Sequence, residues 1–120
     1  MSNRVVWLDI PVLDLDRAIA FYSAVLGSPV HRHDYPGMSI GVLPHGEGGI
    51  SGCLYVSEDI RPSEQGMLVY LASDLPLAEA AAATTANGGR ILMEPHPIGG
   101  YGSRCVIVDS EGNRVALHNP

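Results

Sequence analysis

The chain repeats itself at half its length. Displaced by 60 residues, Asp14-Leu15 falls on Asp74-Leu75 and Ala18 falls on Ala78. Each half opens with an apolar extended run, passes through a helix that stops at glycine, and closes with three short extended runs. Self-similarity at such a period marks one supersecondary unit that buries its apolar face against a copy of itself. The pattern therefore predicts an α+β fold of two tandem β-α-β-β-β modules in one domain. Module one is read over residues 4–57, a connector over 58–65 and module two over 66–119.

In module one, Val6, Leu8, Ile10 and Val12 alternate with Val5, Trp7, Asp9 and Pro11, a period-two strand with one aliphatic face. Asp14 or Asp16 offers an N-cap, the apolar residues from Ala18 to Leu26 recur at helical spacing, and Gly27 suits a left-handed stop. Extended runs follow at residues 29–35, 38–43 and 50–57. In module two, Met67–Ala72 reads as a strand and Ser73-Asp74 as a cap. Pro76 fits the first helical turn, Ala78–Ala86 the helix and Asn87-Gly88-Gly89 its end. Strands are expected at residues 90–94, 101–108 and 114–118, the last two joined by the turn Asp109–Asn113. The 14 glycines and 9 prolines supply the breaks that so many short elements require.

Thirteen acids against seven bases give a net charge of −6, which disfavours nucleic acid and anionic membrane as partners and leaves small neutral, planar or cationic ligands. No apolar run reaches the length of a membrane span, and the N-terminus lacks a signal-peptide pattern. Cys53 and Cys105 are too few and too far apart for a disulfide framework or a cysteine zinc site. They read as reduced thiols of a cytoplasmic protein.

The run Ile10-Pro11-Val12-Leu13-Asp14-Leu15-Asp16-Arg17-Ala18-Ile19-Ala20-Phe21-Tyr22, continuing to Val25-Leu26-Gly27, resembles the opening module of the vicinal oxygen chelate superfamily. That group holds glyoxalase I, extradiol dioxygenases, and fosfomycin- and bleomycin-resistance proteins. Val69-Tyr70-Leu71 through Asp74-Leu75 to Gly88-Gly89 resembles its second opening. Asp109-Ser110-Glu111-Gly112-Asn113 resembles its last hairpin, with Ser110 in place of a proline. The resemblance implies curled, mixed sheets enclosing a cleft, a small-molecule ligand, and a homodimer that completes or buries that cleft. In metal-dependent members it also implies three or four His or Glu side chains converging on a divalent ion that acts as a Lewis acid.

At the positions the resemblance gives to those ligands stand Trp7, Met67 or Leu68, Ala116 and a residue within Ser51–Cys53. Indole, aliphatic, thioether and methyl groups are not the donors such ions take. No metal and no cofactor are therefore expected. Replacement ligands are sparse. His31 and His33 share one strand face but Asp34 points away from it; His45 lies in a glycine-rich loop and His96 between two prolines. His118 is two residues beyond Ala116 and so on its face.

The same phase reasoning turns Trp7 and Asp9 toward the cleft. Buried there, Asp9 would have a raised pKa and could act as a general base. Cys53 and Tyr55 share one face, as do Leu68 and Tyr70, while Tyr101 belongs to a loop able to act as a lid. Arg17 reads as structural; Arg104 and Arg114 could face either way. Trp7, Cys53, Tyr55, Leu68, Tyr70, Tyr101 and Ala116 are accordingly expected to line an aromatic, metal-free pocket. Three functions suit this: a binding protein that sequesters a ligand as bleomycin-resistance proteins do; a lyase, isomerase or oxidoreductase with a relocated set, Asp9 as base and His118 as acid or ligand; or an interaction module with a vestigial cleft.

Overall fold

The repeat is realised as two four-stranded sheets, each drawn from one half of the chain, with both helices between them. The computed structural model describes residues 4–120. The first sheet contains β1 (Trp7–Val12), β2 (His31–Tyr35), β3 (Met38–Val42) and β4 (Ser51–Val56), in the order β1-β4-β3-β2. The second contains β5 (Val69–Ala72), β6 (Arg90–Pro97), β7 (Ser103–Val108) and β8 (Arg114–Asn119), in the order β5-β8-β7-β6. In each, the first strand pairs in parallel with the last and the remaining pairs are antiparallel. The expected α+β fold with mixed sheets is the one observed, without closure into a barrel.

Helix α1 (Leu15–Leu26) starts where Asp14, in extended conformation, accepts a hydrogen bond from the Arg17 amide at 3.1 Å. It ends at Gly27, whose φ of 71° is left-handed, as the sequence suggests. Helix α2 (Leu77–Ala86) is built differently from expectation. Pro76 stands at its N-cap, before the first turn, and no side chain of its own caps it. Its first amide, on Leu77, instead donates to Asn119 Oδ1 at 3.0 Å, so the last strand caps the second helix. Ser73 does not cap α2 either; its hydroxyl donates to the Val25 carbonyl at 2.7 Å and ties the halves together.

The core lies between the helices and the inner faces of both sheets. Phe21, Tyr22, Leu54, Ile107 and Leu117 are fully buried there, each side chain contributing about 1.5–3 kcal/mol relative to exposure. Gly89 permits the close packing, because a Cβ there would meet the Val108 carbonyl at 2.6 Å and Phe21 at 2.8 Å. The displacement of 60 residues loosens beyond the helices. β6 runs to Pro97 with two bulges, past the expected Glu94, and a 3₁₀ turn, η1 (Gly99–Tyr101), precedes β7. Hence β4 begins at Ser51 but β8 at Arg114, 63 residues on.

Polar clamps join the halves around the β7–β8 turn. Arg17 Nε donates to Glu111 Oε2 at 2.7 Å and Arg17 Nη2 to Oε1 at 2.9 Å, which fixes the structural role read for Arg17. Tyr22 donates its buried hydroxyl to Asp109. Asn113 Nδ2 donates to the Pro11 carbonyl at 2.7 Å. Among the described residues no helix is long and apolar enough to cross a membrane.

Candidate functional site

Strand phase leaves each sheet with one face on the helices and one turned away from them. In the first sheet Ile10, Val12 and Leu54 take the helix side and are buried. Trp7, Asp9 and Pro11 therefore share the outer face with their register partners Ser51, Cys53 and Tyr55. His31 and His33 join them through their pairing with Val42 and Ile40. Asp34 points the other way, held by Arg32 at 3.0 Å and by Ser39, as the period of two requires.

On this face Asp9 is exposed, so the burial that its reading as a base presupposed is not found. Its Oδ1 accepts from Trp7 Nε1 at 2.8 Å and from Cys53 Sγ at 3.4 Å. Cys53 itself is buried. That burial, reinforced by the Asp9 carboxylate accepting the thiol proton, pushes Cys53 up to about 11. The thiol is thus a donor to Asp9, and thiolate is the reactive form. Alkylation of Cys53 by iodoacetamide at pH 8 is expected to run on the order of a hundredfold slower than that of free cysteine. Peptide mapping of the alkylated protein checks this, with urea-unfolded protein restoring the ordinary rate.

In the second sheet Val115, Leu117, Cys105 and Ile107 are buried on the helix side. The outer face carries Tyr70 beside Ala116, and Ala72 beside His118. His118 Nε2 lies 2.6 Å from the Tyr101 carbonyl. A carbonyl only accepts, so Nε2 carries a proton, and in the neutral ring Nδ1 then keeps a lone pair. That bond holds η1 against the sheet, and the His118 ring meets Tyr70 edge-on at 6.3 Å between centroids. A shallow depression of about 440 Å³ lies between Tyr70, Ile98, Tyr101 and His118.

Sequence reasoning left Arg104 open, and the structure turns it to this same outer face, opposite His118 in the register. Arg104 Nη1 donates to the Tyr70 hydroxyl and Nε to His96 Nε2 at 3.0 Å. His96 Nδ1 in turn donates to the Glu94 carbonyl at 2.8 Å. The signal was available: a hairpin centred on Glu111 pairs Val108 with Arg114 and so must pair Arg104 with His118.

The named residues thus form two groups. Trp7, Asp9, Cys53 and Tyr55 stand on the first sheet; Tyr70, Tyr101, Ala116 and His118 stand on the second. Asp9 and His118 stand on different sheets: Asp9 is hydrogen-bonded to Trp7 on its own strand, and His118 to the Tyr101 carbonyl of η1. A third feature lies between β1 and β5, one edge strand of each sheet. It is a cavity of about 630 Å³ whose walls include Leu8, Leu26, Leu43, Ile50, Leu68 and Tyr70. Its lining is largely aliphatic, and Trp7 and Tyr55 are not part of it.

A divalent ion of the kind the resemblance implies does not fit the side chains present. Trp7 offers an indole N–H already given to Asp9. Cys53 holds its proton, and Leu68 and Ala116 have no donor atoms. Among the described residues no three His, Cys, Asp or Glu side chains are grouped closely enough to hold a metal.

Comparison with known proteins agrees with this architecture. The chain is 31% identical over 120 residues to proteins named "Putative glyoxylase CFP32" in Mycobacterium tuberculosis and Mycobacterium bovis. The match takes in 99% of this chain and 45% of each relative, so the chain spans about half the length of those proteins. A glyoxalase/bleomycin resistance protein from Albidiferax ferrireducens superposes with a TM-score of 0.75 at 20% identity, over 95% of this chain and 97% of that one. Glyoxalase I from Zea mays superposes with a TM-score of 0.69 at 25% identity, over 94% of this chain and 44% of that one. A family model spans residues 4–117. By that match and by its doubled β-α-β-β-β architecture, the chain belongs to the Glyoxalase/Bleomycin resistance protein/Dioxygenase superfamily.

Proposed function

We propose that this protein binds a small molecule on the outer faces of its sheets without the divalent ion used by metal-dependent members of its family. One observation carries the reading: the positions matched to metal ligands bear Trp7, Met67 or Leu68, Ala116 and a residue within Ser51–Cys53, and the one ionisable group among these, Cys53, is pushed up to about 11. What remains is aromatic and polar surface suited to recognition. Trp7, Tyr35 and Tyr70 are each about half exposed, although large aromatic side chains normally gain by burial.

A second copy of the chain is the proposed cover for those faces. The mycobacterial relatives and the maize enzyme are each more than twice the matched length, and a second copy of this chain supplies a further pair of modules. Light scattering is expected to give twice the 12.7 kDa of one chain. The free, buried thiols of Cys53 and Cys105 suit a reducing cytoplasm.

Metal analysis of the purified protein tests the main reading. Sub-stoichiometric metal is expected, unchanged in Asp9→Asn and His118→Gln. Stoichiometric metal lost with either substitution would overturn it.

A second reading is favoured by the His118 tautomer. With Nε2 on the Tyr101 carbonyl, the Nδ1 lone pair is available to take a proton from a bound carbonyl compound. Such a lyase or isomerase would lose activity in His118→Gln while still binding its substrate.

A further inference from the structure

Arg104 is a cation whose hydrogen-bond partners are all neutral. Its guanidinium donates to the Tyr70 hydroxyl, to His96 Nε2 at 3.0 Å and weakly to the Met93 sulfur at 3.9 Å. It also lies over the Tyr70 ring, 5.8 Å from the centroid. The chain has no lysine; its seven basic residues are all arginines. Three of these, Arg17, Arg32 and Arg90, are spent on carboxylates, and Arg104 forms no ion pair among the described residues.

The contacts orient Arg104 without neutralising it. Because His96 Nδ1 donates to the Glu94 carbonyl, its Nε2 must accept, and this fixes Arg104 Nε. Because the Tyr70 oxygen accepts from Nη1, its own O–H proton is left to donate elsewhere. One N–H on Nη1, one on Nη2 and the Tyr70 O–H therefore remain for a ligand. A second arginine, Arg114, adds positive charge on this face, opposite Val108; its Nε is buried without an acceptor among the described residues. The net charge of −6 thus misdescribes the local field, since ligand choice follows the charges nearest the site.

We propose that the outer face of the second sheet binds the carboxylate of an aromatic acid, with Arg104 and Tyr70 holding the anion. The ring of the ligand lies in the adjoining depression between Tyr70, Ile98, Tyr101 and His118. A planar guanidinium flanked by a neutral donor matches a planar monoanion, and such charge-assisted bonds are about twice as strong as neutral ones. The proposal rests on the small-molecule reading above and specifies its ligand class.

Isothermal titration with 2-naphthoate and its uncharged analogue 2-naphthamide tests it. The unsubstituted protein is expected to bind the acid at least about tenfold more tightly. Arg104→Met should bring the acid down to the level of the amide and leave the amide unchanged. Arg104→Lys, which restores the charge without the planar fork, should recover part of the preference. Equal affinity for both compounds, or an acid preference that survives in Arg104→Met, overturns the carboxylate assignment alone. Binding of neither compound overturns this proposal, and the small-molecule reading falls with it if Trp7 emission also stays unchanged across a panel of aromatic compounds. A circular dichroism spectrum matching that of the unsubstituted protein certifies each variant as folded.

Discussion

Asp109→Ala is expected to destabilise the protein by about 4 kcal/mol or more, enough to unfold most of it at 37 °C if its stability is near the low end for a domain. Asp109 is buried and accepts from five donors. Its Oδ1 takes the amides of Glu111 and Gly112 at 2.8 Å and of Asn113 at 2.9 Å. Its Oδ2 takes Asn113 Nδ2 at 3.0 Å and the Tyr22 hydroxyl. Alanine removes every acceptor at once and leaves buried donors without partners. Tyr22→Phe removes only one donor, and its cost should be about 1–2 kcal/mol. Urea unfolding of the two variants checks the ranking.

The same pair gives a signed alkaline prediction. Burial, then the Asp109 charge and hydrogen bond, hold the Tyr22 phenol well above its ordinary value of 10.0. A group whose folded pKa is raised contributes stability that is full below the unfolded value and lost as pH climbs past it. Stability should fall above about pH 10, and Tyr22→Phe should flatten that limb.

Glu111→Gln is the second large effect, and it is read at the acid end. Burial alone would raise the Glu111 carboxyl. Donors from Arg17, the Asp14 amide, Ser110 and the Leu13 amide overcome that and hold it at about 2, below its ordinary 4.5. A depressed carboxylate contributes stability that is complete above the unfolded value and lost as pH falls through the folded one, here from 4.5 to about 2. The full shift corresponds to about 3 kcal/mol, and solvent reaching the pair through the half-exposed Arg17 side chain reduces this to about 2 kcal/mol. At pH 7 Glu111→Gln should lower Tm by roughly 10 °C. Between pH 4.5 and 2 the difference from the unsubstituted protein should shrink toward zero. A difference that holds constant across that window would count against the assigned pair.

These clamps show where the sequence was informative and where it was not. Strand phase alone turned Trp7, Asp9, Cys53 and Tyr55 to one face and Ala116 and His118 to another, because a period of two leaves no other choice. The Gly27 stop followed from local chemistry, and so did the choice of Asp14 or Asp16 as cap, which the structure settles on Asp14. The cap of α2 did not, because its acceptor, Asn119, is 42 residues from Leu77. The exposure of Asp9 depends on what stands over an outer sheet face, which no strand pattern records. Arg104 was the missed residue whose signal was legible, since the Asp109–Asn113 turn determines the hairpin register. Whether the expected aromatic cleft forms within one chain or across two copies was open in the sequence, because strand phase does not say where the helices pack. They lie between the sheets and turn both outer faces outward.

The central claim is metal-independent ligand binding, and Trp7, the single tryptophan, reports on it. It is half exposed on the outer face of the first sheet, with its indole N–H on Asp9, so a ligand stacked there changes its emission. A panel of aromatic compounds is titrated into protein dialysed against a chelator. The account predicts a saturable change in Trp7 emission for at least one compound, with the same midpoint before and after chelation. A response abolished by chelation and restored by a divalent ion would contradict it.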